Sequence, residues 1–152
     1  VQGFAANQPQ WSVARVPQAS LGDQTCVVMD DAMHAMHVDT QLACVPYSSQ
    51  ANGFFQKVAS GAALSEGQRR MYGSDENMQR ARRVQQLAKE TGMTISEVAL
   101  ASLLSQPFAV FPIIGCRTLD QLRDTLTAHD KRLSPAQLAL LEGGIQNDRM
   151  TE

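Results

Sequence analysis

Three stretches of this chain set polar side chains where an apolar run gives way to a loop. In Ala6-Asn7-Gln8-Pro9-Gln10-Trp11-Ser12, Gln8 closes the first run, and a primary amide can donate and accept hydrogen bonds at once. In Pro46-Tyr47-Ser48-Ser49-Gln50, followed by Gly53 and Phe54-Phe55, Tyr47 ends a second run. The ordinary fate of a tyrosine there is half-burial against a helix. In Ile114-Gly115-Cys116-Arg117-Thr118, running on to Gln121 and Asp124, a turn leads into a helix. A helix amino terminus offers free N–H groups and a positive dipole end to phosphate, although a plain capped helix with a surface arginine would use the same residues.

Other clusters carry less chemistry. His34 and His37 lie three apart on a helical stretch beside Asp30 and Asp31, a spacing that could serve a metal, but no third and fourth ligand follows, and ordinary helix-face histidines are the simpler reading. Arg80, Arg82 and Arg83 share their helix with Asp75, Glu76 and Glu90, which reads as a solvated face. Cys26, Cys44 and Cys116 are odd in number and lack C-x-x-C spacing, so they read as reduced core residues.

The elements that must position these groups alternate between short apolar runs and helical stretches, the pattern of a parallel α/β sheet. Strands are expected over Gly3 to Gln8, Leu42 to Tyr47 and Val110 to Ile114. A helix is expected within Gln24 to Thr40, where Val27, Val28, Met33, Met36 and His37 recur at roughly helical spacing. Ser48 to Gly73 reads as a long Gly/Ala/Ser-rich loop, a length usually tied to function. Ser74 opens a helix with an apolar stripe of Met78, Ala81, Val84, Leu87 and Ala88, and Gly92 closes it. Thr94-Ile95-Ser96-Glu97, Thr118-Leu119-Asp120-Gln121 and Ser134-Pro135-Ala136-Gln137 are capping boxes, the last with proline at its favoured first position. Three strand-helix units result. Three parallel strands cannot close a barrel and would leave unpaired edges and an uncovered apolar face.

With 152 residues, 43% hydrophobic and 18% charged, the chain has material for one core-bearing domain spanning 1–152 with no internal boundary. A formal charge of -2 argues against nucleic-acid binding. No apolar run reaches the roughly 18 residues of a membrane span and no charged-then-apolar leader opens the chain, so a cytoplasmic location is expected. Val1 stands directly before a strand, which suggests a sequence beginning part-way through a gene product.

The three motifs, in this order and at about this spacing, resemble the carboxy-terminal part of an aldo-keto reductase, from the sixth strand of its (β/α)8 barrel to just beyond the eighth helix. The resemblance implies an NADP(H)-dependent oxidoreductase interconverting aldehydes or ketones and alcohols. It implies that Gln8 bonds the nicotinamide carboxamide and that Tyr47 lays its ring against the nicotinamide. Ser48 and Gln50 then belong to the loop around the pyrophosphate. Gly115, Cys116, Arg117 and Gln121 line the adenosine 2'-phosphate pocket, followed by Asp124. Three positions depart from the family pattern: Ser49 and Gln50 stand where Pro-Leu is frequent, and Thr125 where an asparagine often contacts adenine.

The family's catalytic Tyr, Lys, Asp and His come from the first half of its barrel. No residue here sits in a corresponding context, so no catalytic residue and no metal is assigned, and the stretch alone is expected to be inactive. Its expected partners are a small carbonyl or alcohol substrate and the missing amino-terminal half of the barrel. The alternative readings are a non-catalytic nucleotide-binding or regulatory module, as in accessory subunits of channels, and a half-barrel that self-associates.

Overall fold

A computed structural model describes residues 3–143. Strand β1 (Ala6–Asn7) runs parallel to β2 (Ala43–Cys44), with Ala6 opposite Ala43 and Asn7 opposite Cys44. The pairing continues past these short strands, since Tyr47 N donates to Pro9 O at 3.1 Å and Trp11 N to Tyr47 O at 3.3 Å. The expected third strand is a hydrogen-bonded segment rather than a regular strand. It bridges β2 only at Cys44 and Val110, with Phe111 N donating to Cys44 O and Ile113 N to Pro46 O. Pro112 lies between these two donors and faces away from β2, so its missing N–H falls on the edge that β2 does not pair, where proline is tolerated. The opposite edge is also occupied: Gln10 N donates to Val27 O at 2.8 Å and Met29 N to Gln10 O at 2.9 Å.

That edge corrects the expected helix over Gln24 to Thr40. Residues around Val28 are extended against Gln10, and helix α1 begins only at Asp31 (Asp31–Thr40). Asp30 is its cap, accepting Met33 N at 2.7 Å. An apolar pair flanking an N-cap can mimic helical periodicity without belonging to the helix.

The segment from Ser48 to Gly73 is likewise more ordered than a loop. It holds a 3-10 turn (Ala51–Gly53), helix α2 (Phe54–Ser60) and helix α3 (Glu66–Tyr72), the last opened by a Ser65/Gln68 capping box. Helix α4 (Asp75–Thr91) starts at the Ser74 cap and stops at Gly92, whose φ of 72° suits glycine. Helix α5 (Ile95–Leu104) and helix α7 (Pro135–Glu142) carry the expected boxes. Helix α6 (Leu119–Leu126) does not complete its box: Thr118 caps Gln121 N, but the Gln121 side chain goes elsewhere.

Two apolar clusters hold these parts. The larger gathers Phe54, Phe55, Tyr72, Val84, Leu87, Val98, Ala101 and Leu141 with Val13, Val16 and Leu21 of the polypeptide after β1. The smaller, Met29, Cys44 and Phe108 with Trp11, Met33 and Val110, lies where α1 meets the strands. Alternation along a strand sends successive side chains to opposite faces. Asn7 contacts His37 and Met33 of α1, and Cys44 and Val110 pack in the smaller cluster, so these residues mark the helix-covered face. The other face carries Gln8, Tyr47, Phe111 and Ile113, of which Phe111 is 62% and Ile113 41% exposed.

Arg80 corrects the reading of the basic cluster as solvated. It is only 3% exposed, donating to Glu76 and Glu142 and to the carbonyls of Val13 and Leu141. Arg82 is exposed and Arg83 intermediate. His37 is buried, its Nδ1 2.7 Å from Leu42 O and its ring stacked on Phe108. His34 meets Gln106 Oε1 at 2.8 Å. All three cysteines are free, and burial pushes the Cys44 thiol up to about 12.

Candidate functional site: a basic cleft at the carboxyl ends of the strands

The polypeptide leaving β2 turns sharply. Ser48, Ala51 and Asn52 have φ of 53°, 50° and 51°, followed by Gly53 at 76°. Left-handed backbone is free of steric cost only for glycine, and three non-glycine residues held there within five positions require support from their surroundings. Two internal bonds provide part of it, Ala51 N to Ser48 O at 2.8 Å and Gly53 N to Gln50 O at 3.1 Å. Ser49 adds another. Fully buried, it donates from Oγ to Ile113 O at 2.6 Å and so ties the turn to the third strand segment. A proline at this position would have no hydroxyl to make that tie.

Across from the turn, the polypeptide after Ile114 enters α6. Arg117 N donates to Gln121 Oε1 at 2.8 Å, and Gln121 N to Thr118 Oγ1 at 3.2 Å, so two amides at the helix start are satisfied internally. The Arg117 side chain is exposed. Thr125, one turn beyond Gln121, is buried rather than displayed. Its Oγ1 receives Gln50 Nε2 at 3.4 Å and lies 3.6 Å from the Cys116 sulfur. The departure at Thr125 thus joins the two walls of the site.

Between these walls lies a cleft of about 840 Å³. Of the residues singled out in the sequence, Gln50, Gly115, Cys116, Arg117, Gln121 and Asp124 line it together. Gln8, Tyr47 and Ser48 do not. Gln8 is exposed at the end of β1, and Tyr47 shares its sheet face. Burial and the neighbouring Cys26 push the Tyr47 phenol up to about 12. Ser48 lies beside the Tyr72 phenol, as does Gln10, whose buried Nε2 has no partner among the described residues. Burial raises the Tyr72 pKa, and these two polar neighbours partly offset that rise.

Several lining residues escape sequence reasoning because helices α2 and α3 bring them in. Lys57 of α2 donates from Nζ to Gln68 Oε1 at 2.8 Å, and Arg70 of α3 also faces the cleft. Gln56 donates to Ser96 Oγ at 2.7 Å while its own buried Oε1 has no partner among the described residues. The lining therefore carries three cations, Lys57, Arg70 and Arg117, against the one carboxylate of Asp124. In a chain whose net charge is -2 this concentrates positive potential at one place. The Ser65-x-x-Gln68 spacing is the sequence signal that could have located α3 and with it Arg70.

A wide cleft with converging cations, amides and hydroxyls, beside a turn of left-handed residues, is suited to an extended polyanion. The lining offers three cations to an anionic ligand.

Residues 2–145 match the Aldo/keto reductase family. Norsolorinic acid reductase of Emericella nidulans is 30% identical over 109 residues, covering 70% of this chain and 27% of that protein. The aldo-keto reductase ausK of the same organism is 34% identical over 110 residues, covering 66% and 27%. Versiconal hemiacetal acetate reductase of Aspergillus parasiticus is 27% identical over 113 residues, covering 69% and 33%. The matched regions thus span between about a quarter and a third of these relatives' lengths. Among solved structures, a thermostable aldo-keto reductase in complex with the inhibitor epalrestat aligns with a TM-score of 0.60 and 20% identity, over 93% of this chain and 40% of that one. This likeness shows the fold, that of a (β/α)8-barrel family. Here the described residues contribute two paired strands, a third strand-like segment and seven α-helices.

Proposed function

Since this chain belongs to the aldo/keto reductase family, with the oxidoreductase role that family implies, we propose that its cleft binds NADP(H). The convergence of Lys57, Arg70 and Arg117 on one cleft carries this reading. Arg117 holds the adenosine 2'-phosphate, where its planar guanidinium can make paired charge-assisted contacts. Lys57, positioned by Gln68, and the Gln50–Gly53 turn receive the pyrophosphate. Gln121 fixes the Arg117 backbone, and Cys116 with Gly115 forms the adjoining wall. Gln8 and Tyr47, on the shared sheet face, receive the nicotinamide end.

When bound, NADP(H) supplies hydride exchange with a small carbonyl or alcohol substrate. The role of this chain in that chemistry is to hold and orient. Gln8 can both donate to and accept from a carboxamide, and the raised pKa of Tyr47 keeps its phenol neutral at physiological pH. The general acid belongs to an amino-terminal half-barrel that packs on the sheet face of Phe111 and Ile113 and completes the enzyme. The exposure of those two side chains supports a packing partner there. It equally favours a second reading, in which two copies of this chain cover each other's faces and bind nucleotide without turnover.

Calorimetric titration of the protein with NADPH and with NADH tests the proposal. NADPH should bind at least about tenfold more tightly, as expected for a charge-assisted contact of roughly 1.5 to 3 kcal/mol. Equal affinities would remove the 2'-phosphate assignment, and no heat from either would remove the cleft reading.

A further inference from the structure

Asn52 stands at φ 51°, ψ 35° in the turn beside the cleft, and helix α3 grips it at two points. Its Nδ2 donates to the Tyr72 hydroxyl at 3.2 Å, and its carbonyl oxygen accepts Gln68 Nε2 at 2.8 Å. Gln68 and Tyr72 are four residues apart on one helix and so share a face. Both are buried. The other end of the Gln68 amide accepts Lys57 Nζ at 2.8 Å and Ser65 N at 3.0 Å. One side chain therefore joins the carbonyl of the turn, a cation of the cleft and the first turn of α3. Tyr72 is anchored in turn by its ring, 5.7 Å from that of Phe54.

We propose that Tyr72 and Gln68 are positioning residues for the nucleotide: a two-point clamp that holds Asn52 in its left-handed conformation and keeps Lys57 aimed into the cleft. The proposal rests on the reading of that cleft as an NADP(H) site. Both bonds of the clamp are made by the chain's own groups and need no ligand, so the cost of ordering the turn can be met within the protein and not at binding. Asparagine is among the few side chains that tolerate this backbone region, but tolerance does not select it. The selection comes from one hydrogen bond to its side chain and one to its main chain, both from the same helix face.

Tyr72→Phe retains the ring and its packing and removes only the acceptor oxygen. Amide exchange in the nucleotide-free protein should then speed up roughly tenfold at Gly53, whose N–H closes the turn onto Gln50, and the NADPH dissociation constant should rise about five- to tenfold. Gln68→Met should shift both readouts in the same direction by releasing the main-chain grip. In an Asn52→Ala background, Tyr72→Phe should add no further change, the non-additivity expected of two groups acting through one contact. Wild-type protein that binds NADPH, together with a Tyr72→Phe variant whose exchange and affinity are unaltered, overturns the proposal alone. Wild-type protein that binds no NADPH overturns the cleft reading and the proposal with it. Loss of thermal stability without loss of affinity would show a merely structural role and also overturn it.

Discussion

Gln50 and Thr125 meet across the cleft, Nε2 to Oγ1 at 3.4 Å, and join the turn after β2 to the carboxyl half of α6. Seventy-five positions apart in sequence, they bring the two walls of the cleft into contact. Thr125→Val keeps the shape and removes the acceptor. The expected result is a two- to fivefold rise in the NADPH dissociation constant with a stability loss of about 1 kcal/mol, since two long neutral bonds are involved, from Gln50 Nε2 and from the Cys116 thiol. Calorimetry and thermal unfolding would measure the two effects.

Arg80 joins α4 to α7 through Glu142 and to the backbone through Val13 O and Leu141 O. Arg80→Ala removes the side-chain donor from Val13 O, leaves Leu141 O with only the 3.5 Å contact from Arg83, and opens space beneath Glu142. Its carboxylate partners are more than half exposed, so the ion pairs themselves contribute little. The buried hydrogen bonds and packing should account for a loss of roughly 2–4 kcal/mol in urea unfolding, whereas Arg82→Ala should fall within about 0.5 kcal/mol.

The balance of this fold between sequence-legible and hidden parts follows from where the signals lie. The ends of α4, α5 and α7 are marked by Ser74, Thr94, Ser134 and Gly92, local capping residues whose geometry needs no distant partner. Helices α2 and α3 are only seven residues each and sit in a Gly/Ala/Ser-rich stretch, so periodicity has too few turns to register. Arg80 occupies the same face as Val84 and Leu87, a placement its charge disguises. In the site, Arg117 and Gln121 are legible because their turn and helix are contiguous in sequence. Lys57 and Arg70 are not, because only the packing of α2 and α3 carries them to the cleft.

Glu142 should tie stability to acid pH. Although its side chain is about half exposed, partial desolvation alone would raise its pKa, but the guanidinium groups of Arg80 and Arg15 outweigh that and hold it below its ordinary value of 4.5. A carboxylate depressed in the fold contributes stability that is complete above its unfolded value and is lost as pH falls through the lower folded value. The urea midpoint should therefore drop below about pH 4.5, and more steeply in the wild type than in Glu142→Gln. Parallel profiles would remove Glu142 from the acid transition.

The cysteines should separate by reactivity. Cys44 is fully buried with its thiol pushed up to about 12, so its thiolate is scarce at neutral pH. Under native conditions a maleimide should label Cys26 and Cys116, both half-buried, and reach Cys44 only on unfolding. Peptide mass mapping distinguishes the sites, and bound NADPH should slow labelling at Cys116, which lines the cleft, but not at Cys26.

Hydrogen exchange with and without NADPH is the most direct measurement of the central claim, because it locates the ligand without requiring turnover. Protection centred on residues 50–57 and 115–121, extending to the backbone around Gln8 and Tyr47, is the predicted result. Protection centred on residues 11–31 instead, or none at saturating NADPH, would contradict the assignment of the basic cleft as the nucleotide site.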